Sequence, residues 1–192
     1  MRLTHALRAR LAAIQMLVFD IDGVLTQGDI TYTDEGAEIK GFDVKDGLGL
    51  RVAGDAGLHL ALMTGRSSRV VERRARDLHI PDVLQRVGDK AEALRQLAGQ
   101  KRLPLERVAF MGDDLNDRDA MRASGLSIAP ADAVPEIRSL ADLVTDAPGG
   151  RGAARQAVEA ILRAQNRWEQ AVEAYLGGLA DRDRARRASE TE

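Results

Sequence analysis

The chain contains no cysteine. That removes disulfides, thiolate metal sites and cysteine nucleophiles, and it suits a reducing compartment. Aromatic residues make up only 3% of the sequence, which argues against the base-stacking surfaces of nucleic-acid binders. Positive charge is not in excess: 28 Lys and Arg stand against 30 Asp and Glu, a formal net charge of −2. Neither nucleic acid nor a membrane is therefore an expected partner. No apolar run approaches the ~20 residues of a membrane span. Residues Met1 to Arg10 scatter basic side chains where a signal peptide needs an apolar core. Leu3, Leu7, Leu11 and Ile14 recur at helical spacing, so residues 1–15 are expected to form a short amphipathic helix packed on the domain. Cytoplasmic residence is the expectation.

What is present suits one full-sized domain of 192 residues, 44% apolar and 30% charged. Short apolar runs alternate with amphipathic stretches. Strands are expected at Met16–Phe19, Leu58–Met63, Asp82–Val87, Arg107–Met111, Gly125–Ala129 and Ala141–Thr145. Between them fall helices from Asp43 towards Gly57, from a Ser67 cap to Leu78, from Lys90 through Ala98, up to Ala123, and from Asp132 to Leu140. A last long helix follows Gly152 and continues towards Tyr175, and the charged stretch 177–192 is expected to be flexible. Such alternation requires crossover connections, and so a parallel, doubly wound Rossmann-like α/β sheet over residues 16–176. One segment breaks the pattern. Two partly apolar runs flank Asp34-Glu-Gly36 and predict a β-hairpin arm at residues 30–42.

Chemistry-bearing residues recur at the strand ends. Asp20 and Asp22 follow the first strand, Thr64 the second, and Asp113, Asp114 and Asp117 the fourth, while Lys90 opens the helix after the third. In open α/β sheets the ligand crevice lies beyond the carboxyl ends of the strands. Carboxylates so crowded need a metal ion, a shared proton or water to offset their repulsion. An ammonium at a helix start opposes the helix dipole, which favours an anion facing it. The set supplies what phosphoryl transfer needs: a nucleophilic carboxylate, a second acid, groups that hold the phosphoryl oxygens, and oxygen donors suited to Mg²⁺.

Phe19-Asp20-Ile-Asp22-Gly-Val-Leu-Thr26, Leu62-Met-Thr64-Gly65, Lys90 and Gly112-Asp113-Asp114-Leu-Asn-Asp117 together resemble the haloacid-dehalogenase superfamily of phosphatases. The resemblance implies that Asp20 is the nucleophile and Asp22 the general acid and base. It implies that Thr64 and Lys90 bind the phosphoryl group, and that Asp20, the Asp22 carbonyl and Asp113 hold Mg²⁺. Asp114 and Asp117 would order the waters around that ion, with Asp117 also able to hold Lys90. Only the 24 residues from Arg66 to Asp89 lie between Gly65 and Lys90, so no separate cap domain is expected.

The finer pattern resembles the 3-deoxy-D-manno-octulosonate 8-phosphate (Kdo 8-phosphate) phosphatases. It is carried by the arm running into Phe42-Asp-Val-Lys45-Asp46-Gly, by Thr64-Gly-Arg66-Ser-Ser, and by Gly149-Gly-Arg151-Gly-Ala. This implies release of Kdo and phosphate in lipopolysaccharide precursor synthesis, and a homotetramer joined through the hairpin arms. Lys45, Asp46, Gly65 and Arg66 would then face the sugar-acid end. A solvated Arg66 in the first turn of its helix is an equal alternative, and Gly149–Gly152 reads as a tight turn that positions the last helix. A nonulosonic acid 9-phosphate remains as an alternative substrate, and a phospho-accepting signalling domain as an alternative of another class. The late position of the acidic cluster disfavours the signalling domain. Two departures from the family stand out: Asp43, where Asn is frequent, and the length of chain beyond Gln165.

Overall fold

The computed structural model describes residues 4–189. At its centre lies β1 (Met16–Phe19), every residue of it buried. Parallel pairing places β4 (His59–Met63) on one side of β1 and β6 (Val108–Met111) on the other. β5 (Asp82–Leu84) extends the sheet beyond β4, and β7 (Leu126–Ala129) and β8 (Leu143–Val144) extend it beyond β6. The order β5-β4-β1-β6-β7-β8 means that the chain winds outward one way, returns to β1, and winds outward the other way. The ends of β4, β1 and β6 therefore form the topological switch point, where an open sheet leaves a crevice.

Both faces are covered, which explains the continuous apolar runs. Leu17 and Phe19 join one core with Leu60, Leu62, Ala109 and Met111. Met16 and Val18 join the other with Ala61, Met63 and Phe110. Helices α1 (His5–Ala13), α2 (Val44–Asp55), α3 (Arg69–Asp77), α7 (Ala153–Ala164) and the start of α8 (Trp168–Ser189) cover the first face; α4 (Lys90–Gln100), α5 (Arg118–Ala123) and α6 (Pro135–Leu140) cover the second. The N-terminal helix docks as its spacing predicts: Leu11 and Ile14 are buried, and Arg10 forms a bidentate pair with Asp142 at 2.6 and 2.7 Å. Leu3 lies outside the described residues. No helix among those described is long and apolar enough to cross a membrane.

The arm is present. β2 (Thr31–Tyr32) pairs antiparallel with β3 (Glu38–Ile39). Thr33 N donates to the Ala37 carbonyl at 2.9 Å and closes the loop. Gly36, at φ 81°, supplies the left-handed residue that a three-residue hairpin loop requires. Ile30, Tyr32 and Ile39 remain more than half exposed.

The structure corrects three boundaries. Ser68, not Ser67, is the cap position of α3. The expected single closing helix is two. Asn166, at φ 55°, takes the left-handed position after α7, with Asn166 N donating to the Arg163 carbonyl at 3.0 Å and Arg167 N to the Leu162 carbonyl at 2.8 Å. This paired pattern is how a helix ends on a left-handed residue, and Asn is the commonest substitute for Gly there. Trp168 then folds back onto α7 beneath the guanidinium groups of Arg155 and Arg163, 4.7 and 5.6 Å from its ring. Finally, no break in secondary structure occurs at Gly177: α8 runs on to Ser189, while residues 190–192 lie outside the described region.

Candidate active site

The ladder bonds continue past the strand ends and fix the loops that follow. Asp20 N donates to the Met111 carbonyl at 2.9 Å, Thr64 N to Leu84 at 2.9 Å, and Gly112 N to Ile128 at 3.1 Å. Asp20 is thereby held at the switch point, buried to 5% exposure. Asp89 caps α4 by accepting from Glu92 N at 2.9 Å, and this sets Lys90 on the first turn with its side chain directed inward. The Lys90 ammonium donates to Asp20 Oδ1 at 2.7 Å and to Asp117 Oδ1 at 2.6 Å. Asp117 has no exposed surface. Its second oxygen accepts from Asp113 N at 3.0 Å and Asp114 N at 3.3 Å, tying the 112–117 loop to Lys90.

Asp20, Asp113 and Asp117 each present an oxygen within 4.8 Å of the others. Burial, and next the negative charge of Asp117, push the Asp20 carboxyl from 3.8 to about 7, against the pull of Lys90. Burial pushes Asp113 to about 8, aided by the charges of Asp20, Asp117 and Asp114. Burial works to lower the Lys90 ammonium, but the charges of Asp20 and Asp117 hold it above its usual value. Asp113 Oδ1 is buried without a hydrogen-bond partner, an arrangement that costs free energy unless something fills it. Gly23 closes on the same carboxylate: at φ 93°, a Cβ there would lie 2.0 Å from Asp113 Oδ2. An orphaned oxygen among three crowded carboxylates, Asp20 and Asp117 buried and Asp113 half-buried, with one ammonium for countercharge, fits a hard divalent cation such as Mg²⁺.

The other anticipated residues divide. The Asp22 side chain pairs with Lys40 on the arm, with Arg66 Nε 3.8 Å away. Thr64 is buried, and its Oγ1 accepts from Arg66 N at 3.1 Å. Gly65 is exposed beside it. Arg66 reaches across to the arm, donating to Glu38 Oε1 at 3.2 Å and the Tyr32 hydroxyl at 3.3 Å. It is thus a partnered residue near the acid and not a freely solvated one. Lys45 lies exposed on the first turn of α2.

Two of the anticipated residues already hold backbone amides. The first is Asp46. It is buried, with Oδ1 accepting from Arg155 N at 2.7 Å and Oδ2 from Gly152 N at 3.0 Å, so it joins α2 to the start of α7. Asp114 is exposed and forms a capping box with Asp117, accepting from Leu115 N at 2.7 Å; its carboxylate stabilises the turn. Asp43 is likewise engaged as the cap of α2, accepting from Lys45 N and Asp46 N at 2.7 and 2.9 Å. Gly149–Gly152 forms the tight turn expected of it, with Gly149 N donating to Asp132 Oδ1 at 2.8 Å and Gly150 N to the Val24 carbonyl at 2.8 Å. Arg151 donates to Gln27 Oε1 at 2.8 and 3.0 Å.

Sequence reasoning missed Glu38, Lys40 and Tyr32. The period of two along a strand carried the signal: Glu38 and Lys40 share one face of the arm, Ile39 takes the other, and Tyr32 stands opposite Glu38.

Residues 77–155 match the haloacid dehalogenase-like hydrolase family. The chain is 40% identical over 163 residues to the 3-deoxy-D-manno-octulosonate 8-phosphate phosphatase of Yersinia pestis, covering 85% of this chain and 87% of that protein. It is 39% identical over the same length to the enzyme of that name from Escherichia coli K12. Among solved structures, it is similar to 3-deoxy-D-manno-octulosonate 8-phosphate phosphatase from Moraxella catarrhalis in complex with a magnesium ion, a phosphate ion and a KDO molecule. That likeness has a TM-score of 0.85 at 38% identity and covers 88% of this chain and 97% of that one. The cobalt-bound deoxy-D-mannose-octulosonate 8-phosphate phosphatase of Haemophilus influenzae matches with a TM-score of 0.80 at 37% identity, covering 83% of this chain and 93% of that one.

Proposed function

The chain belongs to the Kdo 8-phosphate phosphatases, within the haloacid dehalogenase-like hydrolases, and we propose how its own residues perform that reaction. It is a Mg²⁺-dependent phosphoric monoester hydrolase that releases Kdo and inorganic phosphate, a step we place in lipopolysaccharide precursor synthesis. The observation that carries the reading is the Lys90 ammonium, fixed between Asp20 and Asp117 beside the unpartnered oxygen of Asp113.

Asp20 is the nucleophile. Its carboxylate oxygen bonds to phosphorus as the ester P–O bond breaks, giving an aspartyl-phosphate. Asp22 gives a proton to the departing sugar oxygen. It then takes one from the water that attacks phosphorus, freeing phosphate and restoring Asp20. Lys90 holds Asp20 in position and, with Thr64, meets the phosphoryl oxygens, where most of the charge lies. Asp117 keeps Lys90 and the 112–117 loop in register. Asp20, Asp113 and the Asp22 backbone carbonyl would hold Mg²⁺, which would supply the charge neutralisation that lets a dianionic ester approach three carboxylates. Arg66, with Lys45 nearer solvent, is assigned to the carboxylate end of the sugar acid.

Residues 16–176 act as one catalytic unit without a cap domain. We assign the enzyme to the cytoplasm, in keeping with its lack of cysteine. We also assign it to a homotetramer, as the family resemblance implies; Ile30, Tyr32 and Ile39 on the arm and Val44 and Leu48 on α2 are exposed apolar side chains that suit an association surface. Light scattering on the purified chain reads that assembly directly.

The deciding experiment measures phosphate release from Kdo 8-phosphate against a panel that includes nine-carbon sugar-acid phosphates, with Mg²⁺, with EDTA, and with Asp20→Asn. Preference for Kdo 8-phosphate, lost in both controls, is expected. Mg²⁺-dependent preference for a nine-carbon acid would keep the chemistry and replace the substrate. A folded protein inactive on every ester would overturn the enzyme reading.

A further inference from the structure

The groups that place Asp20 are all in the buried cluster, but those that place Asp22 are not. Its carboxylate faces the arm, where Lys40 meets Asp22 Oδ1 directly and lies 3.3 Å from Glu38 Oε1. The Lys40 side chain is only 2% exposed. That is unusual for a lysine, which normally keeps its head in water and is buried only when paired. It is more unusual on an arm whose other large side chains, Ile30, Tyr32 and Ile39, lie more than half in solvent. Lys40 is therefore the residue through which the arm lies down on the catalytic acid. Arg66 stands on the far side of the same carboxylate, 3.8 Å from Oδ2, and is itself tied to Glu38 at 3.2 Å. The two cations and Glu38 form a frame around Asp22. Arg74 fixes the root of the arm by donating to the Asp43 carbonyl at 3.3 Å, its guanidinium 5.6 Å from the Phe42 ring.

Resting on the phosphatase reading above, we propose that Lys40 is a positioning residue for Asp22: the hairpin arm, through this buried lysine, aims the general acid at the leaving oxygen. General acid catalysis depends on placing the proton within hydrogen-bond reach of the departing atom. A carboxylate in a turn directly after a strand has several rotamers, and the Lys40 contact selects among them. The packing of the arm and the proton transfer then share one side chain.

A purely structural Lys40 would hold the arm and affect all substrates alike. A lysine that aims the acid lowers kcat/KM, which covers the steps up to leaving-group departure and not the later base step, only where the leaving group needs a proton. The test compares full-length, Mg²⁺-loaded wild type and Lys40→Met on Kdo 8-phosphate, whose leaving group is an alkoxide, and on 4-nitrophenyl phosphate, whose phenolate leaves unprotonated. The expected result is a fall of about 10²-fold in kcat/KM on Kdo 8-phosphate, the usual worth of a placed general acid, with little change in kcat/KM on 4-nitrophenyl phosphate. Lys40→Arg, which keeps a charged donor, should restore part of the loss. Equal losses of kcat/KM on both esters would overturn the proposal. If Lys40→Met fails to fold by circular dichroism, Lys40→Gln, of similar length and without the charge, is read for the same contrast. Inactivity of the wild type on both esters would instead sink the phosphatase reading, and this inference with it.

Discussion

Lys90 and Asp117, 27 positions apart in the chain, meet at 2.6 Å, with 3% and 0% of their side chains exposed. This is a pair that water cannot screen, and Asp20 completes it at 2.7 Å on the other side. Removing one partner of a buried pair leaves an uncompensated charge and costs about 3–5 kcal/mol. Lys90→Met is therefore expected to lower the unfolding free energy of the metal-free protein by about 3 kcal/mol in a urea titration. Because the same ammonium meets the phosphoryl oxygens, it should also lower kcat by about 10²–10³-fold. Full stability with only the activity lost would show that Asp20 and Asp117 relax without their countercharge.

Gly23 offers a test of the metal site that alters no ligand. Its φ of 93° disfavours any other residue, and an added Cβ would overlap Asp113 Oδ2 at 2.0 Å. Gly23→Ala must therefore displace the Asp113 carboxylate or the turn that carries Asp22. Mg²⁺ affinity, measured by calorimetry at fixed pH, is expected to weaken at least about tenfold, a loss of ~1.4 kcal/mol. Unchanged affinity would mean that neither the Asp113 carboxylate nor the Asp22 turn belongs to the metal site.

The raised carboxyls of Asp20 and Asp113, at about 7 and about 8, make metal-free stability depend on pH in a defined direction. Between about pH 4 and pH 8 the folded protein holds protons that the unfolded chain has released, so stability falls as pH rises through that window. A divalent cation needs both groups ionised and supplies the missing countercharge, so stabilisation by Mg²⁺ should grow over the same range. Thermal unfolding with EDTA and with Mg²⁺, at intervals from about pH 5 to pH 8, should show the two curves diverging upward in pH. Parallel curves would exclude the two carboxyls as the metal-linked groups.

The sequence reveals the sheet and the reactive cluster for one shared reason. Asp20, Thr64 and Asp113 end or follow buried apolar runs, and Lys90 opens a capped helix, so local pattern places all four at one sheet edge. What escaped it depends on partners that are remote in the chain or on side-chain direction. Asp46 bonds to amides 106 and 109 positions away, a contact that no periodicity announces. Asp114 is exposed and caps the 115–117 turn, a contact that its neighbours in the motif do not announce. Lys40 carries no local signal of its role; only the fold shows the arm bent back onto Asp22. Asn166 was legible, since a lone Asn after an apolar helical stretch is a stop signal, but the apolar spacing that resumes at Trp168 masked it.

Asp46 separates resemblance from geometry most sharply. Its place in the Lys45-Asp46-Gly pattern assigns it to the sugar-acid end, whereas its two oxygens are committed to Gly152 N and Arg155 N. Those amides begin α7, and Gly152, at φ 107°, has no side chain to cap them. Asp46→Ala would bury two unsatisfied donors, each worth about 1–3 kcal/mol, and loosen α2 from α7. The expected outcome is a loss of about 2–3 kcal/mol in stability, a smaller loss in Asp46→Asn, which keeps one acceptor, and a KM for Kdo 8-phosphate unchanged in the folded fraction. Arg66→Ala should behave in the opposite way, with stability nearly intact and KM raised, because its guanidinium is partly open to solvent beside Thr64. A raised KM with unchanged stability in Asp46→Asn would return that carboxylate to the substrate. It would also require the α2–α7 junction to open when the sugar acid binds, since both oxygens are otherwise occupied.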